Sequence, residues 1–105
     1  MASAVVERRT CPDGSVVVEL RGELDLDSEQ ALKALLVDLA SQGPPAIVVN
    51  MPHVTFIDST GIGALVAGFQ AARAAGVAYR VGQVAPFVER QLRITGLYER
   101  LVGTS

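Results

Sequence analysis

The sequence TFIDSTGIGAL, residues 55–65, decides how this chain folds. Its first three residues are β-branched or aromatic, which is typical of the end of a buried strand. Asp58 and Ser59 then offer side-chain oxygens that can accept hydrogen bonds from the unpaired N–H groups at a helix start. Beyond them, apolar side chains recur at the spacing of one buried helical face: Ile62, Leu65, Val66 and Phe69. The stretch predicts a strand that leads directly into a helix.

Ser59 is the first candidate functional residue, because this pattern places its hydroxyl at the helix N-terminus. The helix dipole makes that position electropositive, which suits a phosphate or a partner's contact. The simplest alternative is that Asp58 or Ser59 only caps the helix, a role worth about 1 kcal/mol. One cap would not require Asp58, Ser59 and Thr60 together.

Length and composition predict one domain, spanning residues 1–105 with a core over about 5–102, since 50% of the residues are hydrophobic. The net charge is −2, and the sequence lacks the basic stripe of a nucleic-acid binder. The single cysteine excludes an internal disulfide and fits a reducing cytoplasm. No apolar signal segment follows Met1, and the longest uncharged stretch is shorter than the roughly 20 residues of a membrane span. We therefore expect a cytoplasmic domain without membrane insertion.

The N-terminal part predicts a hairpin followed by a helix. Residues 5–9 and 15–22 are predicted strands, joined by the turn residues 11–14 (CPDG). The helix is predicted to have Asp27 as its N-cap and to end at residues 43–45 (GPP). Its buried stripe comprises Leu32, Leu35, Leu36 and Leu39, and the side chains left for solvent are Glu29, Lys33 and Asp38.

The rest of the chain alternates strands and helices. Residues 46–50 (AIVVN) predict a central strand covered on both faces and broken by Met51-Pro52-His53. The second helix is predicted to end at Gly76. A strand over 77–81, a turn over 82–85 and a third helix from Pro86 to Gly96 follow, with four apolar side chains of that helix expected inside: Phe87, Val88, Leu92 and Ile94. This order predicts an α/β fold, with a mixed, mostly parallel sheet, an N-terminal hairpin and about four helices.

Catalytic, cofactor and metal sites are not expected. Ile57 stands where a nucleophile elbow needs glycine, and His53 has no third residue to orient it. Val66 replaces the third glycine of a dinucleotide fingerprint, and no Walker lysine is present. The acids before the first helix are interpreted as a solvated helix start rather than a metal site: Glu23, Asp25, Asp27 and Glu29.

Several motifs in this order closely resemble the STAS domain, specifically the stand-alone bacterial anti-sigma factor antagonists. The motifs are GELD at residues 22–25, IVVN at 47–50 and DSTGIG at 58–63, together with Gly82 and the 86–97 region. The resemblance extends over roughly residues 5–102 and implies the STAS fold. It also implies a binding switch rather than an enzyme.

In that family the unphosphorylated antagonist captures an ATP-dependent anti-sigma factor serine/threonine kinase, which frees a sigma factor for transcription in a stress response. The resemblance implies that this kinase phosphorylates Ser59, that Thr60 is a secondary acceptor, and that a serine phosphatase reverses the reaction. It implies a partner contact formed by Asp25, Asp58, Ser59, Thr60, Gly61, Ile62 and Gly63. Phosphorylation would abolish binding because it adds about −1.5 to −2 charges beside Asp58.

Two alternatives remain at this stage. STAS-like domains also serve as accessory docking subunits of membrane transport complexes, without regulation by phosphate. A small nucleotide-hydrolysing enzyme is the alternative of a different class, and it lacks a phosphate-binding lysine here. The sequence leaves open whether the molecule forms a homodimer.

Overall fold

The structure is a computed structural model that describes residues 4–102. Its elements in chain order are β1 (Val5–Thr10), β2 (Val16–Glu23), α1 (Leu26–Ser41), β3 (Ala46–Phe56), α2 (Ser59–Ala75), β4 (Ala78–Val84), α3 (Pro86–Ile94) and α4 (Tyr98–Leu101). The strand order is β1-β2-β3-β4, with β1 antiparallel to β2 and the other pairs parallel. The predicted α/β class, with its mixed sheet and N-terminal hairpin, is confirmed.

The core lies on one face of the sheet. Alternate residues of each central strand are buried there, including Val18 of β2 and Val49 of β3, both fully buried. On the opposite face, Val48 and Asn50 are only half-buried. The prediction that β3 is covered on both faces is therefore wrong, because an apolar run cannot by itself distinguish one covered face from two.

Strand β3 is also longer than predicted, since it continues through Pro52 and His53 to Phe56. The pairing of β3 with β2 shifts register here, from Glu19–Asn50 to Arg21–His53. Two residues of β3 thus stand opposite one of β2, and Pro52 lies within this bulge, where its missing N–H is tolerated. The neighbouring strand β4 continues alongside, so residues 82–84 form strand rather than the predicted turn.

Helix α1 begins two residues earlier than predicted. Its N-cap is Asp25, whose side chain accepts a hydrogen bond from the Ser28 N–H, and not Asp27. The N–H of Leu24 donates to the Phe56 carbonyl at 3.0 Å, which holds the chain at the sheet up to that point. The helix can therefore begin immediately after Asp25.

Helix α3 contributes Val88 and Leu92 to the core, both fully buried, as predicted. Ile94, in contrast, is 77% exposed. It follows Leu92 by two positions, and two residues turn an α-helix by about 200°, which places Ile94 on the outer side. The predicted burial of Ile94 is therefore wrong.

Helix α2 has the predicted limits. Gly76 ends it in the left-handed conformation, with φ of 72°. Gly68 of this helix faces its neighbours closely: a Cβ added there would lie 2.9 Å from Leu36 of α1 and from the Tyr79 hydroxyl oxygen. Gly68 thus allows α2 to pack closely on α1 as well as on the sheet.

Candidate functional site

The N-termini of α1 and α2 meet at one edge of the sheet. Strands β2 and β3 are parallel, so their carboxyl ends lie at the same edge, where the Leu24–Phe56 hydrogen bond joins them. Each strand then leads within two residues into its helix. This edge of an open α/β sheet is where functional groups collect, because helix N-termini and loop side chains converge there.

Asp58 caps α2 and leaves Ser59 outside the capping role. Its Oδ1 accepts hydrogen bonds from the N–H groups of Thr60 at 3.0 Å and Gly61 at 3.1 Å. Ser59 is the first residue of the helix, and both Ser59 and Thr60 are exposed. The Ser59 side chain is therefore accessible at the positive end of the helix dipole.

Asp25 holds the equivalent position on α1. Its Oδ1 accepts hydrogen bonds from both the N–H and the hydroxyl of Ser28, each at 2.8 Å. These bonds favour the ionised carboxylate and lower the pKa of Asp25. The two motif aspartates thus have matching structural roles at adjacent helix starts.

Glu29 is the residue that sequence reasoning missed. The sequence predicts that Glu29 faces solvent, but it is only 2% exposed, and it is the one charged residue buried among residues 4–102. Its spacing could have revealed this, because Glu29 precedes the buried Leu32 and Leu36 by three and seven residues. An acidic residue at such a position is normally assigned to the solvated face, since ionised side chains are rarely buried.

The Glu29 carboxyl group lies against the first turn of α2. A Cβ added at Gly61 would be 2.9 Å from Glu29 Oε2, so the carboxyl occupies space that only a glycine leaves open. Oε2 accepts no hydrogen bond from any residue that the structure describes. Two acidic groups therefore meet at Gly61. Its N–H donates to Asp58 Oδ1, and Glu29 Oε2 fills the space that a Gly61 side chain would need.

The two carboxyl groups have opposite pKa shifts. Burial is the largest cause that raises the pKa of Glu29 to about 7, followed by its hydrogen bond with Asp58 and the negative charge of Asp58. The same hydrogen bond is the largest cause that lowers the pKa of Asp58, and the Gly61 N–H lowers it further. Below about pH 7, where Glu29 is mostly protonated, Glu29 is thus the proton donor and Asp58 the acceptor.

The remaining motif residues differ in their surroundings. Gly61 and Ile62 are buried, whereas Gly63 is exposed and a Cβ added to it would meet no atom within 4 Å. Ser59 and Gly63 border an apolar groove between α2 and the segment after α3, which is also lined by Ile62, Val66, Ala67, Gln70, Thr95 and Leu97. The structure therefore brings the exposed serine next to an open apolar surface.

Residues 4–102 form neither a metal-binding cluster nor a membrane-spanning helix. This part of the chain contains no group of three or more His, Cys, Asp and Glu side chains placed to hold a metal ion. None of its helices has the length and apolar character needed to cross a membrane.

Comparison with known proteins identifies the family. The STAS domain family model matches residues 5–104. The chain belongs to the STAS domain family. Among curated proteins, this STAS domain is similar to the anti-sigma-B factor antagonist of Bacillus subtilis (strain 168), with 31% identity over 85 residues. That match covers 81% of this chain and 77% of the relative.

Solved structures show the same fold. One is the anti-sigma factor antagonist SpoIIAA in its unphosphorylated form, with a TM-score of 0.81, 22% identity, and coverage of 96% of this chain and 89% of that one. Another is the Bacillus cell fate determinant SpoIIAA in its phosphorylated form, with a TM-score of 0.77, 20% identity and coverage of 96% and 92%. The four-stranded mixed sheet with its helices is thus the STAS fold.

Proposed function

We propose that this STAS domain is an anti-sigma factor antagonist that works as a phosphorylation-controlled switch. In its unphosphorylated form it binds an ATP-dependent anti-sigma factor serine/threonine kinase and thereby frees a sigma factor. The kinase phosphorylates Ser59, which ends the binding, and a serine phosphatase restores the active form. The similarity to an anti-sigma-B factor antagonist supports this assignment.

The observation that carries the proposal is the division of roles between Asp58 and Ser59. Asp58 accepts the hydrogen bonds of the first helical turn, so Ser59 is exposed and free to react. A hydroxyl that capped the helix would lose a stabilising bond on modification. Here phosphate can be added and removed while the cap stays in place.

A phosphate on Ser59 would act mainly by charge. It adds about −1.5 to −2 charges at neutral pH, next to the Asp58 carboxylate. The helix dipole and nearby N–H groups tolerate an anion at this position, so the fold is kept. An acidic partner surface that accommodates the neutral serine would then be repelled, the desolvation cost of the interface would rise, and binding would be lost.

The apolar groove beside Ser59 is the proposed docking surface for the same kinase. It continues directly from Ser59 and Gly63 to Val66 and Leu97. Apolar contacts in the groove would supply binding energy, while Ser59 at its border would sense the phosphate. Phosphate on Ser59, at the edge of the groove, would thus control an interface whose contact area lies mainly in the groove itself.

Binding measurements on Ser59 variants test this switch. We expect Ser59→Asp to weaken binding to the purified anti-sigma factor kinase of the same organism by about a hundredfold or more, since like charges at an interface cost several kcal/mol. Ser59→Ala should bind as wild type does and resist release by ATP. Ala34→Glu, which adds one charge at an exposed position within α1, is the control and should leave binding unchanged.

The contrary result would be equal binding of wild type and Ser59→Asp. It would favour the alternative in which the domain is a docking subunit of a membrane transport complex, where the serine region makes contacts without phosphate control. Far-ultraviolet circular dichroism of both variants should match that of wild type, so a loss of binding can be attributed to the interface.

A further inference from the structure

We propose that Glu29 and Asp58 share one proton at the start of α2, and that this shared proton makes partner binding at Ser59 depend on pH across neutrality. The binding half rests on the proposed function above, whereas the proton-sharing half concerns the isolated domain. Glu29 would thereby be a positioning residue, acting on Ser59 through Asp58 and the first turn of α2.

The geometry carries the first half of this proposal. Glu29 is 2% exposed, and its Oε2 accepts no hydrogen bond from residues 4–102. An ionised carboxylate in that environment would leave the buried Oε2 without a donor, which is unfavourable. A protonated carboxyl group instead donates to the neighbouring carboxylate, and one proton then satisfies both groups.

The surrounding charges favour the same arrangement. Across from Glu29 on α2 lie the Asp58 carboxylate and the Gly61 N–H, and on α1 the Asp25 carboxylate also acts on it. Both neighbouring side chains are acidic and raise the pKa of Glu29, and only the Gly61 N–H opposes them. None of the ion pairs found among residues 4–102 involves Glu29.

Loss of the proton would change the site in the same direction as phosphorylation. The pair would pass from one negative charge to two, next to Ser59 and under the first turn of α2. Glu29 would also stop donating to Asp58, whose other bonds hold the N–H groups of Thr60 and Gly61. We therefore expect partner binding to weaken as pH rises through neutrality.

Coupling between the proton and phosphate follows from linkage. A phosphate on Ser59 adds negative charge beside the pair, so it should raise the pKa of Glu29 further and retain the proton. By reciprocity, a protonated pair should accommodate the phosphate more easily than an ionised pair. A lower pH would thus make the phosphorylated domain more stable relative to its form with an ionised pair.

Carbon-detected nuclear magnetic resonance of the isolated domain tests the shared proton. A titration from about pH 4 to about pH 9 should give one glutamate carboxyl carbon with a midpoint near neutrality, far above the usual glutamate range. That resonance should be absent from Glu29→Gln, and the amide shifts of Thr60 and Gly61 should follow the same midpoint only in wild type. A Glu29 midpoint below about pH 5.5 would overturn the proposal.

Asp58→Asn provides a second test that does not depend on the folding of Glu29→Gln. It keeps a side-chain oxygen for the cap and removes one of the two acids. The Glu29 midpoint should then fall towards the ordinary glutamate range. An unchanged midpoint would show that burial alone, and not a shared proton, sets the titration.

Binding of the anti-sigma factor kinase at about pH 6 and about pH 8 tests the second half. Wild type should lose about three- to tenfold more affinity between these values than Glu29→Gln, whose neutral amide stays a donor throughout. Equal pH dependence of the two proteins would overturn the link to binding. Absence of kinase binding at either pH would instead contradict the proposed function, and the titration would still decide the shared proton.

Discussion

Helices α1 and α2 each begin at a capping aspartate, but only the cap of α2 lies beside a buried acid from the other helix and an exposed serine. Asp25 and Asp58 each accept two hydrogen bonds at their helix start, and both are exposed. The bonds of Asp25 come from one residue, Ser28, which completes a self-contained cap. Asp58 has in addition the buried Glu29 as a neighbour and the exposed Ser59 as the next residue.

This difference shows that the cap alone does not define the site. A capping aspartate is a common structural device that stabilises a helix wherever it occurs. What distinguishes α2 is a second acid from another helix, buried where Gly61 leaves room for it. We therefore expect the start of α2 to be more sensitive to added negative charge than the start of α1.

The largest effect that separates the two helix starts is the pH dependence of stability. The pKa of Glu29 is about 7 in the folded chain, against an ordinary value of 4.5. Its contribution to stability is fully present below about pH 4.5 and is lost as pH rises to about 7, a loss on the order of 3 kcal/mol. Urea unfolding of wild type at about pH 5 and about pH 8 should show this fall.

The Glu29→Gln variant should remove that fall, because its amide does not titrate. Asp27→Asn is the matched control: it removes an exposed acid of the same helix and should keep the difference in stability between the two pH values. Equal stability of wild type at both pH values would refute the prediction.

The capping aspartates Asp25 and Asp58 affect stability at low pH instead. Their pKa values are lowered, so their stabilisation is lost only as pH falls below about 3.8.

The close packing under the start of α2 gives the second prediction. Ala ordinarily stabilises a helix interior by about 0.5–1 kcal/mol relative to Gly. Gly61→Ala should instead destabilise by about 1–3 kcal/mol, since its Cβ would lie 2.6 Å from Ile57 Cγ1 and 2.9 Å from Glu29 Oε2. Denaturant unfolding measures the change.

Gly63 is the control for this packing, because a Cβ there meets nothing within 4 Å. Gly63→Ala should show the ordinary gain in stability that a glycine-to-alanine change gives in a helix. If both variants were stabilised to the same extent, the contact between Glu29 and α2 would not be as close as described.

The smallest predicted effect is a difference in the Glu29 titration midpoint between variants of the two capping aspartates. Asp58→Asn and Asp25→Asn each remove one negative charge and keep a side-chain oxygen for capping. The Glu29 midpoint should fall more in Asp58→Asn, because Asp58 both hydrogen-bonds to Glu29 and acts on it by charge, whereas Asp25 acts by charge alone. Titration of the two variants by nuclear magnetic resonance measures the difference, and a larger fall in Asp25→Asn would reverse the comparison.

The sequence predicts the fold and the helix start at Asp58 and Ser59 because those depend on local patterns. The switch from strand to helix at residues 55–65 places Asp58 and Ser59 correctly, and Gly76 and Pro86 mark helix limits. For α1 the sequence predicts Asp27 as the N-cap, whereas the structure has Asp25 there. Asp25 and Asp27 are chemically equal candidates, and the tertiary bond from Leu24 to Phe56 favours Asp25 because it holds the chain at the sheet up to Leu24.

The features that sequence did not reveal depend on tertiary packing. Glu29 follows the apolar spacing of α1, yet its charge predicts that it is exposed. Its burial depends on the neighbouring Asp58 and on the space left at Gly61, which are distant in sequence. Similarly, Pro52 normally interrupts a strand, and only the register shift between β2 and β3 accommodates it. In both cases a residue's own preference is outweighed by a partner that is distant in sequence.

The most direct test of the central claim is the position of the phosphate. The unmodified domain should be incubated with ATP and the anti-sigma factor kinase of its own organism, and the phosphorylated residue identified by mass spectrometry of wild type, Ser59→Ala and Thr60→Ala. We predict phosphate on Ser59 in wild type and Thr60→Ala, and its loss from that peptide in Ser59→Ala. An unmodified peptide over residues 55–65, with a known substrate labelled by the same kinase preparation, would contradict the account.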